Sequence, residues 1–257
     1  MNLSRKAMFD EMGISPCWVL REQPSVAREA PRTTRREAVA GPAAVVQAPA
    51  SPVAIPPAAP SDAVAGMDWD SLNRTIRECR ICGLCAGRKQ AVPGVGDENA
   101  DWLFIGEGPG AEEDARGEPF VGQAGKLLDA MLAAIDLQRG KDVYIANAVK
   151  CRPPGNRTPE VAEMAACRPY LQKQIALLKP KLIVLLGKAA MQAVLGEDGT
   201  LSSMRGKTLS YRDGATEIPL LVTYHPAYLL RNLPDKARAW EDLCRARSLM
   251  RQLRTVV

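Results

Sequence analysis

Glycines, carboxylates and one aromatic ring stand close together in residues 106–122. Gly106, Gly108 and Gly110 allow a sharp turn and a close approach of the backbone to a ligand. Four acidic residues stand within this turn or directly after it: Glu107, Glu112, Glu113 and Asp114. Phe120 adds an aromatic ring to a segment that is otherwise small and polar. This combination is typical of a site that holds a flat polar ligand and handles a proton or a water.

The glycine spacing of this segment differs from two common phosphate-binding motifs. Pro109 and Gly110 break the G-x-G-x-x-G pattern of dinucleotide-binding folds, and no Gly-Lys-Ser/Thr follows as in a P-loop. Gly-rich turns between a strand and a helix are also common without any ligand. The segment by itself therefore leaves a functional site and an ordinary turn as open alternatives.

Seven cysteines occur without a recognisable secretory signal, which favours metal or redox chemistry in a reducing compartment over disulfides. Cys79 and Cys82 form a C-x-x-C pair, and Cys82 forms an equally good pair with Cys85. Cys151 lies in a Pro-rich turn and Cys167 on the helix predicted after it, so the chain can bring these two thiols together. Four thiolates suit zinc or an iron–sulfur cluster. The other two cysteines are interpreted as ordinary buried thiols: Cys17 and Cys244.

His225 is the single histidine of the chain and directly follows a predicted strand. A lone histidine cannot build a multi-histidine metal site. It can serve as a structural hydrogen-bonding group, or it can donate a proton or a positive dipole to a substrate oxygen.

Apolar runs and helical periodicity indicate the scaffold that positions these residues. The predicted strands are 102–105, 143–149, 181–186 and 220–224, and the main predicted helices are 125–137, 159–178, 188–195 and 236–253. A further helix begins at Asp68 or Asp70. Strands that alternate with helices predict an α/β fold with a mainly parallel, helix-covered sheet. The loop at residues 106–122 and His225 both follow strands, so we expect them at the same sheet edge.

Composition divides the 257-residue chain into three parts. Residues 23–66 are rich in Ala and Pro and contain no aromatic side chain, which predicts a disordered linker. Residues 1–22 carry scattered apolar side chains with Trp18 and are interpreted as a possible docking segment for a protein partner, with a lightly attached flap or a tail without a role as the alternatives. Residues 67–257 form the predicted catalytic domain. The net charge of +5 is compatible with a polyanionic partner, and no apolar run approaches the roughly 20 residues of a membrane span.

Four motifs agree in order and spacing with one known family. They are the segments 106–114, 119–122, 147–154 and 225–231. Together they resemble the family 4 uracil-DNA glycosylases, the iron–sulfur class of bacteria and archaea, from about Leu72 to the C-terminus. The resemblance implies a single three-layer domain with a four-stranded sheet. It also implies a [4Fe–4S] cluster on four cysteines, with Cys85 as an extra thiol: Cys79, Cys82, Cys151 and Cys167.

The resemblance also implies roles for the other motif residues. Phe120 would stack on the uracil ring, Asn147 would pair with the O4 and N3–H edge, and Gly108 would line the base site. His225 would donate to the uracil O2. Glu107 or Glu113 would stabilise the sugar cation or orient a water, because classical uracil glycosylases have Asp where this chain has Gly108. Three arginines are candidates for gripping DNA phosphates: Arg152, Arg157 and Arg231.

The implied activity is base excision repair of single- and double-stranded DNA by a cytoplasmic, monomeric enzyme. A related class that traps DNA covalently has Gln in place of Glu107 and a second histidine, and this chain has neither. Two other classes remain as alternatives. A non-catalytic DNA-binding module with a structural cluster would keep the cysteines and arginines, and an electron-transfer protein would need only the cysteines.

Overall fold

A computed structural model describes residues 61–196, 199–214 and 216–255. The predicted docking segment 1–22 and most of the predicted linker lie outside these ranges. The described part begins with helix α1 (Ser61–Ala65), which falls inside the segment predicted as linker. Val64 of this helix is buried against helix α6 (Val161–Leu178), so the packed region starts earlier than the predicted boundary at Met67.

One sheet of six strands forms the centre of the described ranges. The strands are β1 (Val95–Gly96), β2 (Trp102–Gly106), β3 (Val143–Asn147), β4 (Leu182–Leu186), β5 (Leu209–Asp213) and β6 (Thr216–Thr223). Their spatial order is β1-β3-β2-β4-β6-β5; the four central strands are parallel and both edge strands are antiparallel.

The expected four-stranded sheet is therefore corrected to six strands. The four parallel strands are the predicted ones, since each is an apolar run covered on both faces. The added edge strands β1 and β5 have a neighbour on one side only. Strand β1 has two residues and β5 reads Leu-Ser-Tyr-Arg-Asp, so neither presents the continuous apolar run that identifies a buried strand.

The helices not yet given complete the secondary structure of the described ranges. They are α2 (Trp69–Glu78), α3 (Leu84–Gly87), α4 (Ala111–Arg116), α5 (Gln123–Ala133), α7 (Lys188–Leu195), α8 (Leu201–Met204), α9 (Pro226–Arg231) and α10 (Asp235–Thr255), with a short 3-10 turn at Pro154–Asn156. Asp68 caps helix α2 as expected, and its carboxylate accepts the Ser71 backbone N–H at 2.9 Å. Within the described ranges, no helix is both long enough and apolar enough to cross a bilayer.

Successive side chains of β2 point to opposite faces of the sheet. The core is therefore divided into two layers, and the sheet with its helices forms three. Phe104 points into a cluster with residues of α5 and α10, such as Leu128 and Leu243. Ile105 points to the opposite face and packs with residues of α6 and α7, such as Ile175. This is the pattern expected when successive side chains of a buried strand face opposite ways.

Strand register places the chemistry-bearing residues along one edge. Gly106, the last residue of β2, is paired with Asn147, the last residue of β3. Gly187 and His225 follow the ends of β4 and β6, which run parallel to them. The carboxyl ends of all four parallel strands therefore meet at one edge, where open α/β sheets bind ligands.

Candidate active site at the carboxyl edge of the sheet

A cleft of about 780 Å³ opens at this edge. Most of the residues singled out from the sequence line it: Glu107, Gly108, Glu113, Phe120, Asn147, Arg157, His225 and Arg231. Arg152 is not among the lining residues, and its Nε donates to Oδ1 of Asn156 at 2.7 Å. The structure thus brings together every predicted base-site residue and two of the three predicted phosphate-binding arginines.

Asn147 presents an unsatisfied amide to the cleft. Its side chain is buried, and neither Oδ1 nor Nδ2 has a hydrogen-bond partner among the described residues. Leaving a buried amide unpaired costs about 1–3 kcal/mol for each polar group, so such atoms in a cleft indicate a ligand that pairs with them.

Gly106 makes room for Asn147 and Phe120 to approach one another. A Cβ on Gly106 would lie 2.5 Å from both Asn147 Oδ1 and Phe120 Cζ. Only a residue without a side chain fits at that strand end, because these two groups occupy the space. The first glycine of the motif therefore serves close packing of the site.

Phe120 is held in a conformation that non-glycine residues rarely adopt. Its φ is +55°, in the left-handed region. Arg139 Nη2 donates to the Phe120 carbonyl at 2.8 Å, and a Cβ on Gly125 would collide with the same carbonyl group. These contacts fix the backbone, and the Phe120 ring lies with its centroid 5.4 Å from that of His225. Strain kept by surrounding contacts is a common property of functional sites.

His225 is oriented by the helix that follows it. It is the N-cap of α9, and its Nδ1 accepts the backbone N–H of Ala227 at 3.2 Å. The proton of the neutral imidazole is therefore assigned to Nε2, which is left to donate. Removal from water, assisted by the nearby positive charge of Arg231, lowers the pKa of His225 to about 4. The site thus holds a neutral imidazole at pH 7.

Glu107 and Glu113 have different environments. The Glu113 carboxylate accepts three backbone N–H groups: Gly110 at 3.0 Å, Val121 at 2.9 Å and Gly122 at 3.0 Å. Glu113 therefore ties the two ends of the loop together. Glu107 is half-buried in the cleft wall, and burial raises its pKa, against the lowering effects of a hydrogen bond with Thr158 and of the Arg231 charge.

The arginines differ in how far their charge is already compensated. Arg157 forms a two-pronged pair with Glu163, at 2.8 and 2.6 Å, and this hydrogen-bonded pair lowers the pKa of Glu163. Arg231 is exposed at the rim of the cleft, and no salt bridge joins it to a described residue. Arg231 is thus the more available of the two for an anionic ligand.

Four cysteines from three chain segments come together in the core: Cys82, Cys151 and Cys167 are buried in one cluster, and the partly buried Cys79 packs against it. We call Cys79, Cys82, Cys151 and Cys167 the cysteine cluster. Cys85 does not belong to it and lines a neighbouring surface cleft. The prediction of a buried thiol at Cys244 is wrong, since Cys244 is exposed, and Cys17 lies outside the described residues.

N–H donors point at two of the sulfur atoms of the cysteine cluster. Arg88 Nη1 lies 2.8 Å from Cys151 Sγ, and the Lys150 backbone N–H points at Cys167 Sγ from 3.4 Å. Burial raises the pKa of Cys151 to about 11 and that of Cys167 to about 12. No three His, Cys, Asp or Glu side chains of the described ranges are grouped to hold a single metal ion. An iron–sulfur cluster takes its thiolates at separate irons, which places them further apart than the ligands of one ion.

Several cleft residues were not found from the sequence. Lys188, Tyr224, Tyr228 and Arg238 also line the cleft. Gly187 and Lys188 directly follow the apolar strand β4, just as the other site residues follow β2, β3 and β6. Their position after a strand could have identified them as cleft residues. Tyr228 lies within the motif at residues 225–231, which was a signal for it, whereas Arg238 lies on α10, where no local pattern indicated that its face turns toward the cleft.

A three-layer α/β domain with a polar cleft at the carboxyl edge of a parallel sheet belongs to the class of α/β enzymes and ligand-binding domains. A family model described as the uracil DNA glycosylase superfamily matches residues 93–244. The chain is 43% identical to a type-4 uracil-DNA glycosylase of Pyrobaculum aerophilum, over 69% of this chain and 92% of the relative.

Two further type-4 uracil-DNA glycosylases are similar. The relative from Archaeoglobus fulgidus is 44% identical over 63% of this chain and 82% of its own length. That from Thermotoga maritima is 40% identical over 70% of this chain and 94% of its own. The chain belongs to the uracil DNA glycosylase superfamily and, within it, to the type-4 uracil-DNA glycosylases.

Proposed function

We propose that this protein hydrolyses the N-glycosidic bond of uracil in DNA and leaves an abasic site, as a base excision repair enzyme. The observation that carries the proposal is the unpartnered, buried amide of Asn147, which lines the same cleft as the stacked rings of Phe120 and His225. The names of the type-4 relatives support the same activity.

Asn147 selects the base. Its Nδ2 donates to the uracil O4, and its Oδ1 accepts the uracil N3–H. Cytosine presents an amino donor and a bare ring nitrogen at these positions, so with the amide in this orientation both hydrogen bonds are lost and two buried groups remain unpaired. Phe120 stacks on the base, a contact worth about 1–3 kcal/mol in other base–aromatic pairs, and Gly108 lines the same wall.

His225 stabilises the departing base as a neutral hydrogen-bond donor. Cleavage of the N1–C1′ bond builds negative charge on the uracil O2 and positive charge on the sugar. The Nε2–H of His225 donates to that O2 while the Nδ1 remains occupied by Ala227. A neutral donor that is fixed in place stabilises the developing charge without moving a proton.

Glu107 is the carboxylate that serves the sugar side of the reaction. It lies in the cleft wall, where its negative charge stabilises the sugar cation and orients the attacking water. Glu113, which the sequence left as an alternative, has both oxygens engaged by backbone N–H groups. Glu113 is therefore a positioning residue that holds the loop carrying Glu107 and Phe120.

Arg231 contacts the DNA phosphates at the rim of the cleft. Arg157 contributes less to phosphate binding, because its charge is already paired with Glu163. Arg152 contributes from outside the residues that line the cleft. Phosphate contacts position the strand and do not read its sequence.

The cysteine cluster holds a [4Fe–4S] group through Cys79, Cys82, Cys151 and Cys167. The donor set fits, since four thiols converge and N–H donors point at the sulfurs of Cys151 and Cys167. The group supplies a covalent cross-link among three chain segments. A Ser substitution at any of the four is expected to remove the visible absorption, whereas Cys85→Ser is its matched control and keeps it. Bleaching by Cys85→Ser alone would contradict this ligand set.

The test of the activity is excision from an oligonucleotide that contains one uracil. We expect alkali-labile abasic sites in single-stranded and duplex DNA without added metal ion or nucleotide, and no product from the same oligonucleotide with cytosine. Purified protein with a filled cluster and no abasic product would contradict the proposal and favour a non-catalytic DNA-binding module.

A further inference from the structure

A second cleft, of about 530 Å³, lies beside the cysteine cluster. Its lining includes five cations: Arg77, Arg80, Arg88, Lys89 and Arg116. Glu118 is the one acidic residue among the described residues that line it. We call this feature the basic cleft.

Four of the five cations of the basic cleft have no ion-pair partner within the described part of the chain, whereas Arg88 contacts the Cys151 sulfur. The four exposed cations form no salt bridge with a described residue: Arg77, Arg80, Lys89 and Arg116. Arg157 and Arg205, by contrast, are paired with Glu163 and Asp242. Like charges that converge without counter-ions make a favourable site for an anion.

The basic cleft is fixed to the active site through helix α4. This helix follows its N-cap Gly110, which lies in the loop that Glu113 clamps, and ends at Arg116, in the basic cleft. Asp114 accepts the backbone N–H of Lys89 at 2.8 Å, which attaches the adjoining wall to the same helix. The six residues of α4 span about 9 Å at ~1.5 Å per residue. That distance equals about three nucleotide steps at ~3.4 Å along a duplex.

The lining also indicates which part of a nucleic acid the basic cleft takes. No aromatic residue is among its described lining residues, so it lacks an aromatic surface on which a base could stack. Guanidinium and ammonium groups instead match phosphodiester oxygens.

We propose that the basic cleft is a second phosphate-binding site for the DNA strand, a few nucleotides away from the uracil in the active-site cleft. The inference rests on the proposed function, because it assumes that DNA occupies the active site. The backbone runs past α4, with its phosphates held by the exposed cations of the basic cleft.

The test compares two fourfold variants with the same change in net charge. The first carries Arg77→Gln, Arg80→Gln, Lys89→Gln and Arg116→Gln. Its matched control carries substitutions of exposed cations that line neither cleft: Lys141→Gln, Lys179→Gln, Arg245→Gln and Arg251→Gln. The measured quantity is the Kd for a long single strand bearing one uncleavable 2′-fluorodeoxyuridine, between about 50 and 200 mM salt.

We expect the basic-cleft variant to bind about tenfold or more weakly at low salt, with a slope of log Kd against log salt reduced by about two to four. The control should keep a slope close to that of the wild type. Equal slopes for the two variants would overturn the proposal. Failure of the proposed function is seen separately, as a wild-type protein that forms no abasic product.

Single variants keep the test decisive if the fourfold variant does not fold. Arg116→Gln should lower the salt slope by about one, whereas Arg251→Gln should not change it. Equal slopes for this pair would likewise overturn the proposal. Circular dichroism and the visible absorption establish that each protein is folded.

Discussion

The ammonium of Lys150 lies 2.9 Å from the main-chain oxygen of Asn147, and the lysine is only 1% exposed. The same Nζ donates to Oε1 of Gln174 at 2.6 Å, and the Gln174 amide donates to the Pro93 carbonyl at 2.8 Å. The Lys150 backbone N–H points at Cys167 Sγ. One buried lysine therefore connects the strand end that carries the proposed base-pairing amide with the wall of the cysteine cluster.

Lys150→Met is expected to destabilise the protein by about 1–3 kcal/mol, because it leaves two buried acceptors unpaired on Asn147 and Gln174. Urea unfolding measures this change. Lys141→Met, at an exposed position, is the control and should stay within about 0.5 kcal/mol of the wild type. Equal stabilities of the two variants would show that the Lys150 hydrogen bonds contribute nothing net.

Asn147→Asp is expected to weaken uracil excision. A carboxylate accepts hydrogen bonds but cannot donate to the uracil O4 unless it is protonated. Losing one such pairing, at about 1–3 kcal/mol, corresponds to about a 5- to 150-fold lower kcat/KM. Cytosine-containing strands should be assayed in parallel, since a weakened preference is expected. Asn99→Asp, exposed and outside the cleft, is the control; unchanged uracil kinetics in Asn147→Asp would mean that its amide does not face the base.

In a plot of excision rate against pH, the decrease at low pH (the acidic limb) should follow the protonation of Glu107. Burial raises its pKa, and its proposed role needs the ionised form, so the rate should fall as pH drops through that raised value. Glu107→Gln should lose this limb and lower the maximal rate by about 10²-fold or more. Glu113→Gln should keep the limb, because Glu113 acts by holding the loop. A limb that disappears in Glu113→Gln would reverse the two assignments.

The excision rate should not change through titration of His225 between about pH 5 and 8, because the pKa of this residue in the folded protein is about 4. Its unfolded value is about 6.5, so the unfolded chain takes up the proton first as pH falls. Stability should therefore decrease between about pH 6.5 and 4, the window set by these two values. Unfolding at several pH values, with His225→Gln for comparison, measures this; a His225→Gln protein with the same pH dependence would contradict it.

Gly106→Ala is expected to lower excision activity and stability more than the same substitution at a glycine with free space around it. The new Cβ would lie 2.5 Å from Asn147 Oδ1 and from the Phe120 ring, and overpacking of this kind costs about 1–3 kcal/mol. Gly83→Ala is the matched control, since nothing lies within 4 Å of its Cβ and its φ is −61°. The readouts are excision kinetics and the urea midpoint, and indistinguishable variants would show that the strand end relaxes freely.

A chain that begins at Ser61 is expected to keep full excision activity on short oligonucleotides, because every proposed site residue lies beyond it. A chain that begins at Met67 should be less stable, since it loses buried Val64 and the hydrogen bond from Lys173 to the Ala65 carbonyl. Burial of a valine side chain is worth about 1.5–3 kcal/mol. Thermal unfolding of the two chains provides the comparison. Loss of activity in a folded Ser61 chain would show that the preceding residues take part in catalysis.

The sequence alone determined the order of the central elements and the edge at which the site forms. Glu107, Asn147 and His225 each follow directly on an apolar run, and the carboxyl ends of parallel strands meet at one edge. Helix α4 escaped detection because Ala-Glu-Glu-Asp-Ala-Arg has no apolar face between its flanking glycines. The edge strands escaped for a similar reason, since they lack a continuous apolar run.

Tertiary structure decided which of the candidate groups are engaged and which are available. The spacing along the sequence made Cys79 and Cys85 equally good C-x-x-C partners of Cys82. Packing in the fold placed only Cys79 in the cysteine cluster. The family resemblance left Glu107 and Glu113 as alternatives, and the fold brought three backbone N–H groups to Glu113. Both decisions depend on contacts between residues that stand apart along the chain. The periodicity of a single segment records its own buried face but not the partner that will be packed against it.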